Sequence, residues 1–241
     1  MKARGAVVAR IILIHGAWGN GASWAALVPR LAGHRVEALT LPGHARDEPP
    51  SAEIGQPDYV AAVEDRLTGG PPALLVGHSM GGMVVAQVAA RRPDLVTAAV
   101  FVAALLPRDG ESLLDLVRHQ AAPGVRDYVR PGPVAGTTVL DPGAAAALFP
   151  DATPSAAAAA MSALSPQSNR GQTDKAVIGP GFAGVPKAYV FCSDDHVVTP
   201  ALQRRMVEAT PVEAEFTLVS GHMPMLTRPA ELAAILNGLA G

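Results

Sequence analysis

Short runs of β-branched and leucine-rich positions alternate along this chain with longer stretches in which apolar residues recur at helical spacing. The runs at 11–14, 35–39, 73–76, 98–104, 187–192 and 214–219 predict strands. The stretches at about 22–32, 56–69, 81–91, 111–119, 143–148, 154–164, 200–209 and 229–239 predict helices. Such alternation predicts an α/β architecture, a mostly parallel sheet of about six strands with helices on both faces. Leu74-Leu75-Val76 and Ala99-Val100-Phe101-Val102 are continuously apolar, the pattern of strands covered on both faces.

The alternation breaks between 108 and 184. Helical stretches there are separated by Pro123-Gly124, Pro131-Gly132-Pro133, Pro142-Gly143 and Gly179-Pro180-Gly181, and no strand is predicted among them. The segment lies between two core strands, so it reads as an insertion within one domain, the core being 1–107 and 185–241. Ligands of open α/β sheets bind at the carboxyl ends of the strands. An insertion leaving the end of the strand at 98–104 therefore predicts a helical cap over the site; its Ala and Pro content also suits a disordered linker. At the other end, Met1-Lys2-Ala3-Arg4 is followed by an apolar run that Arg10 interrupts. That segment reads as a short tail leading into the first strand.

Composition narrows the function classes. The chain has 241 residues, 49% hydrophobic and 17% charged, long enough for a full core. Nineteen Lys and Arg against 21 Asp and Glu leave a net charge of -2, which argues against nucleic acid and polybasic membrane partners. Pro and Gly punctuate every apolar stretch before it reaches membrane-spanning length. Cys192, the single cysteine, forms no intrachain disulfide, which fits a reducing, cytoplasmic setting; it reads as a buried strand-end thiol. Oligomeric state stays open, a homodimer included.

The chemistry concentrates at Gly77-His78-Ser79-Met80-Gly81, between an apolar run and a helical pattern. Gly-x-Ser-x-Gly in that context forms a nucleophile elbow, with the serine on a strained strand-to-helix turn. A serine hydroxyl needs a base, and an unperturbed imidazole, with pKa about 6.5, suits that task. Of seven histidines, His222 stands after the last strand and before the last helix, where the chain order Ser…Asp/Glu…His places the base. His78 adjoins Ser79 in sequence and points away from it. An acid must orient the imidazole. Asp194 and Asp195 end the strand Ala188-Tyr189-Val190-Phe191-Cys192, one of them facing inward; Asp109 is the alternative. His196 has no metal-ligand spacing, and neither metal nor cofactor is expected. Oxyanion donors are expected at the backbone N–H of Met80 and of Ala17, the latter in His15-Gly16-Ala17-Trp18-Gly19-Asn20-Gly21. Trp18 either roofs the acyl site or packs under the cap. Substrate contacts are expected from Gly16, Trp18, Leu105, Phe149, Phe182 and Met223, with Leu148 and Met161 adding to an apolar cap.

With Ile14-His15-Gly16-Ala17-Trp18, Gly77-His78-Ser79-Met80-Gly81-Gly82 and His222-Met223-Pro224-Met225-Leu226, the chain resembles the α/β-hydrolase superfamily. More narrowly it is similar to the small branch of plant methylesterases and hydroxynitrile lyases with their bacterial relatives. The resemblance implies an α/β-hydrolase fold and selects Asp195 over Asp194. It implies a carboxylesterase acting on a small ester. Lyases of the plant type in that branch carry a lysine after the catalytic histidine and a threonine after the first-strand histidine. Met223 and Gly16 stand at those positions, the esterase pattern. Trp18 departs from the plant members, which have a small residue or cysteine there. Rival readings keep the triad for hydroxynitrile-lyase, lactonase or acyltransferase chemistry, or make the protein a small-molecule receptor without turnover.

Overall fold

The structure, a computed structural model, describes residues 8–241, so the predicted tail from Met1 to Val7 lies outside the described residues. Six strands form the central sheet: β1 (Arg10–Ile14), β2 (Arg35–Leu39), β3 (Ala73–His78), β4 (Val96–Val102), β8 (Lys187–Cys192) and β9 (Ala214–Leu218). All neighbours pair in parallel, in the order β2-β1-β3-β4-β8-β9. The chain runs outward from β1 to β2 and then returns to the other side of β1. A switch of direction of this kind leaves a crevice at the strands' carboxyl ends, here between β1 and β3.

Alternation along the strands sends side chains to opposite faces. Ile12, Ile14 and Leu75 pack with α1 (Gln56–Leu67), α2 (Gly81–Arg91) and α7 (Pro200–Ala209) in one core layer. Ile11, Leu13, Leu74 and Val76 pack on the other face with Trp24, Leu27, Leu31 and the C-terminal helix, Pro229–Ala240. Burial on both faces explains why these strands read as unbroken apolar runs.

Two predictions of local structure need correction. The helix expected at about 22–32 is two 3-10 segments, Gly21–Trp24 and Val28–Leu31. Pro29, in the first turn of the second segment, has no N–H to continue a helix from the first. The strand expected at 98–104 ends at Val102, because Ala103 turns the chain with φ of 44°.

The insertion contains α3 (Leu113–Val117), α4 (Ala145–Leu148), α5 (Pro154–Ser162) and α6 (Asn169–Thr173). It also contains a sheet that was not expected: β5 (Val129–Pro131), β6 (Thr137–Leu140) and β7 (Gln167–Ser168), antiparallel in that order. The ends of the insertion return to the core, where Leu116, Ala176 and Phe182 join the layer under α2. Its middle forms a separate apolar cluster of Val125, Ala144, Leu148 and Phe149 around Trp18. Among the described residues, no helix is long and apolar enough to cross a membrane.

Candidate active site

Ser79 follows β3 on a turn that holds it at φ of 52°, a left-handed conformation unusual for a residue with a side chain. The turn is tight because three glycines let backbone meet backbone. A Cβ on Gly77 would lie 2.6 Å from the Gly81 carbonyl oxygen, one on Gly81 2.4 Å from that of Ile14, and one on Gly82 2.3 Å from that of Leu105. The Ser79 carbonyl accepts the N–H groups of Gly82 (3.0 Å) and Leu105 (2.9 Å). The elbow is thus pinned to the chain leaving β4.

Asp195 and His222 lie beyond the ends of β8 and β9, and both are buried. His222 Nδ1 donates to Asp195 Oδ2 at 2.8 Å. Asp195 Oδ1 accepts the N–H groups of Val197 (2.7 Å) and Val198 (3.0 Å). Gln203 Nε2, from α7, donates to Asp195 Oδ2 at 3.3 Å. A buried carboxylate with this many donors has its charge compensated and its orientation fixed. With Nδ1–H committed to Asp195, Nε2 of neutral His222 carries a lone pair. Asp194 is exposed and faces His196 at 3.5 Å. Asp109 Oδ1 accepts the Ile178 N–H at 2.9 Å.

His78 has a place that its sequence position did not reveal. It is buried, and its Nε2–H donates to the backbone carbonyl of His222 at 2.8 Å, with the two rings 4.6 Å apart. Burial, followed by the proximity of His222, pushes its pKa well below the usual imidazole range, against the pull of that hydrogen bond. Neutral His78 thereby keeps the tautomer that holds the His222 backbone. Gln203 is the second partner that the sequence did not flag. Its one trace is a polar residue on the buried face of α7, beside Met206 and Val207.

Gly16–Gly19 forms a turn closed by the Gly19 N–H on the Gly16 carbonyl, at 3.1 Å. Leu41 N–H donates to His15 Nε2 at 3.0 Å, so His15 Nδ1 carries the proton and donates to the same Gly16 carbonyl at 2.8 Å. A trans peptide is planar, with its N–H opposite its carbonyl. Two donors fixing the Gly16 oxygen therefore also fix the Ala17 N–H, which points the other way. Neither the Ala17 nor the Met80 N–H has a hydrogen-bond partner among the described residues. Gly16 itself admits no side chain, since a Cβ would lie 2.8 Å from Ser79 Cβ.

A cavity of about 40 Å³ joins these elements, lined by Gly16, Ala17, Trp18, His78, Ser79, His222 and Met223 and by the cap's Val125, Leu140, Leu148, Phe149 and Leu164. Of the predicted substrate contacts, Gly16, Trp18, Phe149 and Met223 lie here. Trp18 lines the cavity and packs on the cap cluster. Leu105 and Phe182 do not line it. Leu105 is buried in the core and serves the elbow through its backbone. Phe182 packs edge-on against Phe101, their centroids 6.4 Å apart. It stands five residues before β8, and residues entering a parallel strand lie at the sheet edge opposite the carboxyl ends. Met161 packs on the cap cluster outside the lining. Cys192 is buried, and burial pushes its thiol up, away from the reactive thiolate.

Three buried imidazoles tie stability to pH. Burial, with His44 nearby, lowers His15 to about 3. Burial also lowers His44 and His78. Above about pH 6.5 these groups are neutral in both folded and unfolded chains and contribute no pH dependence. Below it the unfolded chain takes up protons that the folded chain refuses, so stability falls as pH falls toward the folded pKa, for His15 from 6.5 down to about 3. Each refused proton costs about 1.4 kcal/mol per pH unit. Urea unfolding midpoints should therefore drop clearly between about pH 7 and about pH 5. Equal midpoints would show that these histidines are not held neutral.

A parallel sheet with a serine elbow after β3, a carboxylate beyond β8 and a histidine beyond β9 defines the α/β-hydrolase class. Residues 11–235 match the Alpha/beta hydrolase family, and the chain belongs to it. It is 27% identical to methyl jasmonate esterase 1 of Vitis vinifera over 94% of each chain. It is 30% identical to esterase PIR7B of Oryza sativa subsp. japonica, over 95% of this chain and 92% of that one. Among solved structures, a pyrethroid hydrolase from Sphingobium faniae JZ-2 superposes with a TM-score of 0.84 at 25% identity, covering 97% of this chain and 98% of that one. The protein is an esterase-type α/β hydrolase of the small methylesterase-like branch.

Proposed function

We propose that the protein hydrolyses carboxylic esters of small, largely apolar substrates through an acyl-enzyme on Ser79. The observation that carries this is the 2.8 Å bond from His222 Nδ1 to buried Asp195, with Ser79 and His222 lining one cavity. His222 Nε2 takes the Ser79 proton as Oγ attacks the ester carbonyl. The tetrahedral oxyanion is held by the N–H groups of Ala17 and Met80, the latter at the positive end of α2. His222 then passes the proton to the leaving alcohol, and water activated by the same nitrogen releases the acid. Asp195 orients His222 and stabilises the imidazolium. The cap lining is apolar, so a hydrocarbon acyl or alcohol part gains from burial there.

The test is a panel of p-nitrophenyl and methyl esters, with mandelonitrile assayed beside it. Steady multiple turnover of an ester supports the reading. Cyanide release faster than ester hydrolysis and dependent on Ser79 would replace it with lyase chemistry. Product limited to one equivalent would make the protein a receptor.

A further inference from the structure

The turn that carries Ala17 is not held by the core alone. Its third residue, Trp18, sits at φ of 58°, and the Gly19 N–H closes the turn on Gly16. A positive φ at only that position makes a type II turn, where glycine is the favoured residue. A tryptophan there keeps its conformation only if its surroundings over-determine it. All three of its polar groups are bonded to the insertion. Trp18 N–H donates to Gln167 Oε1 at 3.4 Å, its carbonyl accepts the Ser165 N–H at 2.7 Å, and its indole Nε1–H donates to Thr138 Oγ1 at 3.2 Å. Asn20, two residues on, donates from Nδ2 to the Ala163 carbonyl at 2.8 Å.

Gln167 is the keystone of this contact. It is fully buried on β7. Its Nε2 donates to Tyr59 Oη at 2.9 Å and to the Ser168 carbonyl at 3.0 Å, which fixes the amide so that Oε1 faces the turn. His44 Nε2 donates to the same oxygen at 3.0 Å. The cavity, at about 40 Å³, has room for about three water-sized groups.

We propose that Gln167 is a positioning residue for the oxyanion hole: by accepting the Trp18 N–H it locks the left-handed turn that aims Ala17, so that the hole is complete only when the cap is seated. The proposal rests on the Ser79 and Ala17 assignments above. When the cap lifts, Trp18 loses its partners and the turn relaxes toward negative φ. The turn then opens, and the Gly16 carbonyl that aims the Ala17 N–H keeps His15 and loses the Gly19 N–H that closed it. Substrate seating and oxyanion stabilisation thereby become one event. Hydrolysis is suppressed for ligands that bind without letting the cap return.

The test is Gln167→Met, which keeps size and removes the acceptor, with Tyr59→Phe as a control that removes a partner of Gln167 without touching Trp18. Removing a whole oxyanion donor costs roughly 10²–10³ in kcat, so misaiming one should cost about tenfold or more, with KM little changed. A trifluoromethyl ketone, which forms an oxyanion on Ser79, should lose affinity by the same factor. The matching ether, which has the substrate's shape and no carbonyl, should bind Gln167→Met as it binds the parent. Tyr59→Phe should leave the ketone-to-ether affinity ratio unchanged, because the Ser168 carbonyl still holds Gln167 Nε2 and keeps Oε1 on the turn. If Gln167→Met does not fold, Gln167→Asn, one methylene shorter, withdraws the same oxygen and is read by the same ratio. An unchanged ratio in the folded variant, or equal loss for both ligands, overturns the proposal. Failure of the underlying esterase reading shows separately, as ester turnover that survives replacement of Ser79.

Discussion

Ser79→Ala should abolish ester turnover while leaving the protein folded. Loss of the nucleophile in a serine hydrolase costs on the order of 10⁶ in kcat, because the base, the acid and the oxyanion donors act as a unit with it. The fold should survive because the elbow depends on its glycines and on main-chain bonds. Ser79 contributes its carbonyl to Gly82 and Leu105, and alanine keeps that carbonyl. The left-handed φ of 52° is as unfavourable for alanine as for serine, so the strain is unchanged. Thermal midpoints of the two proteins should agree within a few degrees. A folded Ser79→Ala enzyme keeping a tenth of the activity would place the nucleophile elsewhere.

The legible parts of this protein are those whose signal is local. Ile11 to Ile14 and Ala73 to Val76 are strands between two apolar layers, so every position had to be apolar and the run stands out. Ser79 announces itself because the elbow needs small residues at fixed offsets, and the structure shows backbone oxygen where each Cβ would be. His222 is legible from chain order and its position at a strand end. The insertion's sheet was not legible. β5, β6 and β7 span two to four residues, β5 and β6 are partly exposed, and β6 pairs with β7 across about 30 positions. Phe182 and Leu105 misled because apolar residues near a site in sequence can face the opposite edge or the core. The supporting polar groups were equally hidden. His78, Gln203 and Gln167 acquire their roles from partners 144, 8 and 149 residues away, and apart from Gln203's place on the buried face of α7 no spacing rule marks them.

Asp195→Asn should lower kcat by roughly 10⁴, the cost of the same change in a serine-protease triad, while Asp194→Asn should stay within about a factor of two. The carboxylate accepts on both sides: Oδ1 from Val197 and Val198, Oδ2 from His222 and Gln203. Asparagine has one oxygen and one NH₂ for these four donors. If the oxygen faces His222, the NH₂ opposes two buried backbone N–H groups that cannot turn away. The other orientation keeps both backbone bonds and presents NH₂ to His222, whose Nδ1 must then accept. The imidazole proton moves to Nε2, the nitrogen that has to receive the Ser79 proton, and the base is lost with the geometry intact. Gln203 cannot relieve this by reversing its amide, because Oε1 accepts the Cys192 N–H at 3.0 Å and Nε2 donates to the Val198 carbonyl at 2.7 Å. Asp194 has no such duties, being exposed beside His196. The comparison of kcat for the two variants on one ester, with folding checked by thermal midpoint, decides the assignment. Equal small losses at both positions would move the role to Asp109, whose carboxylate is engaged with the Ile178 N–H at 2.9 Å.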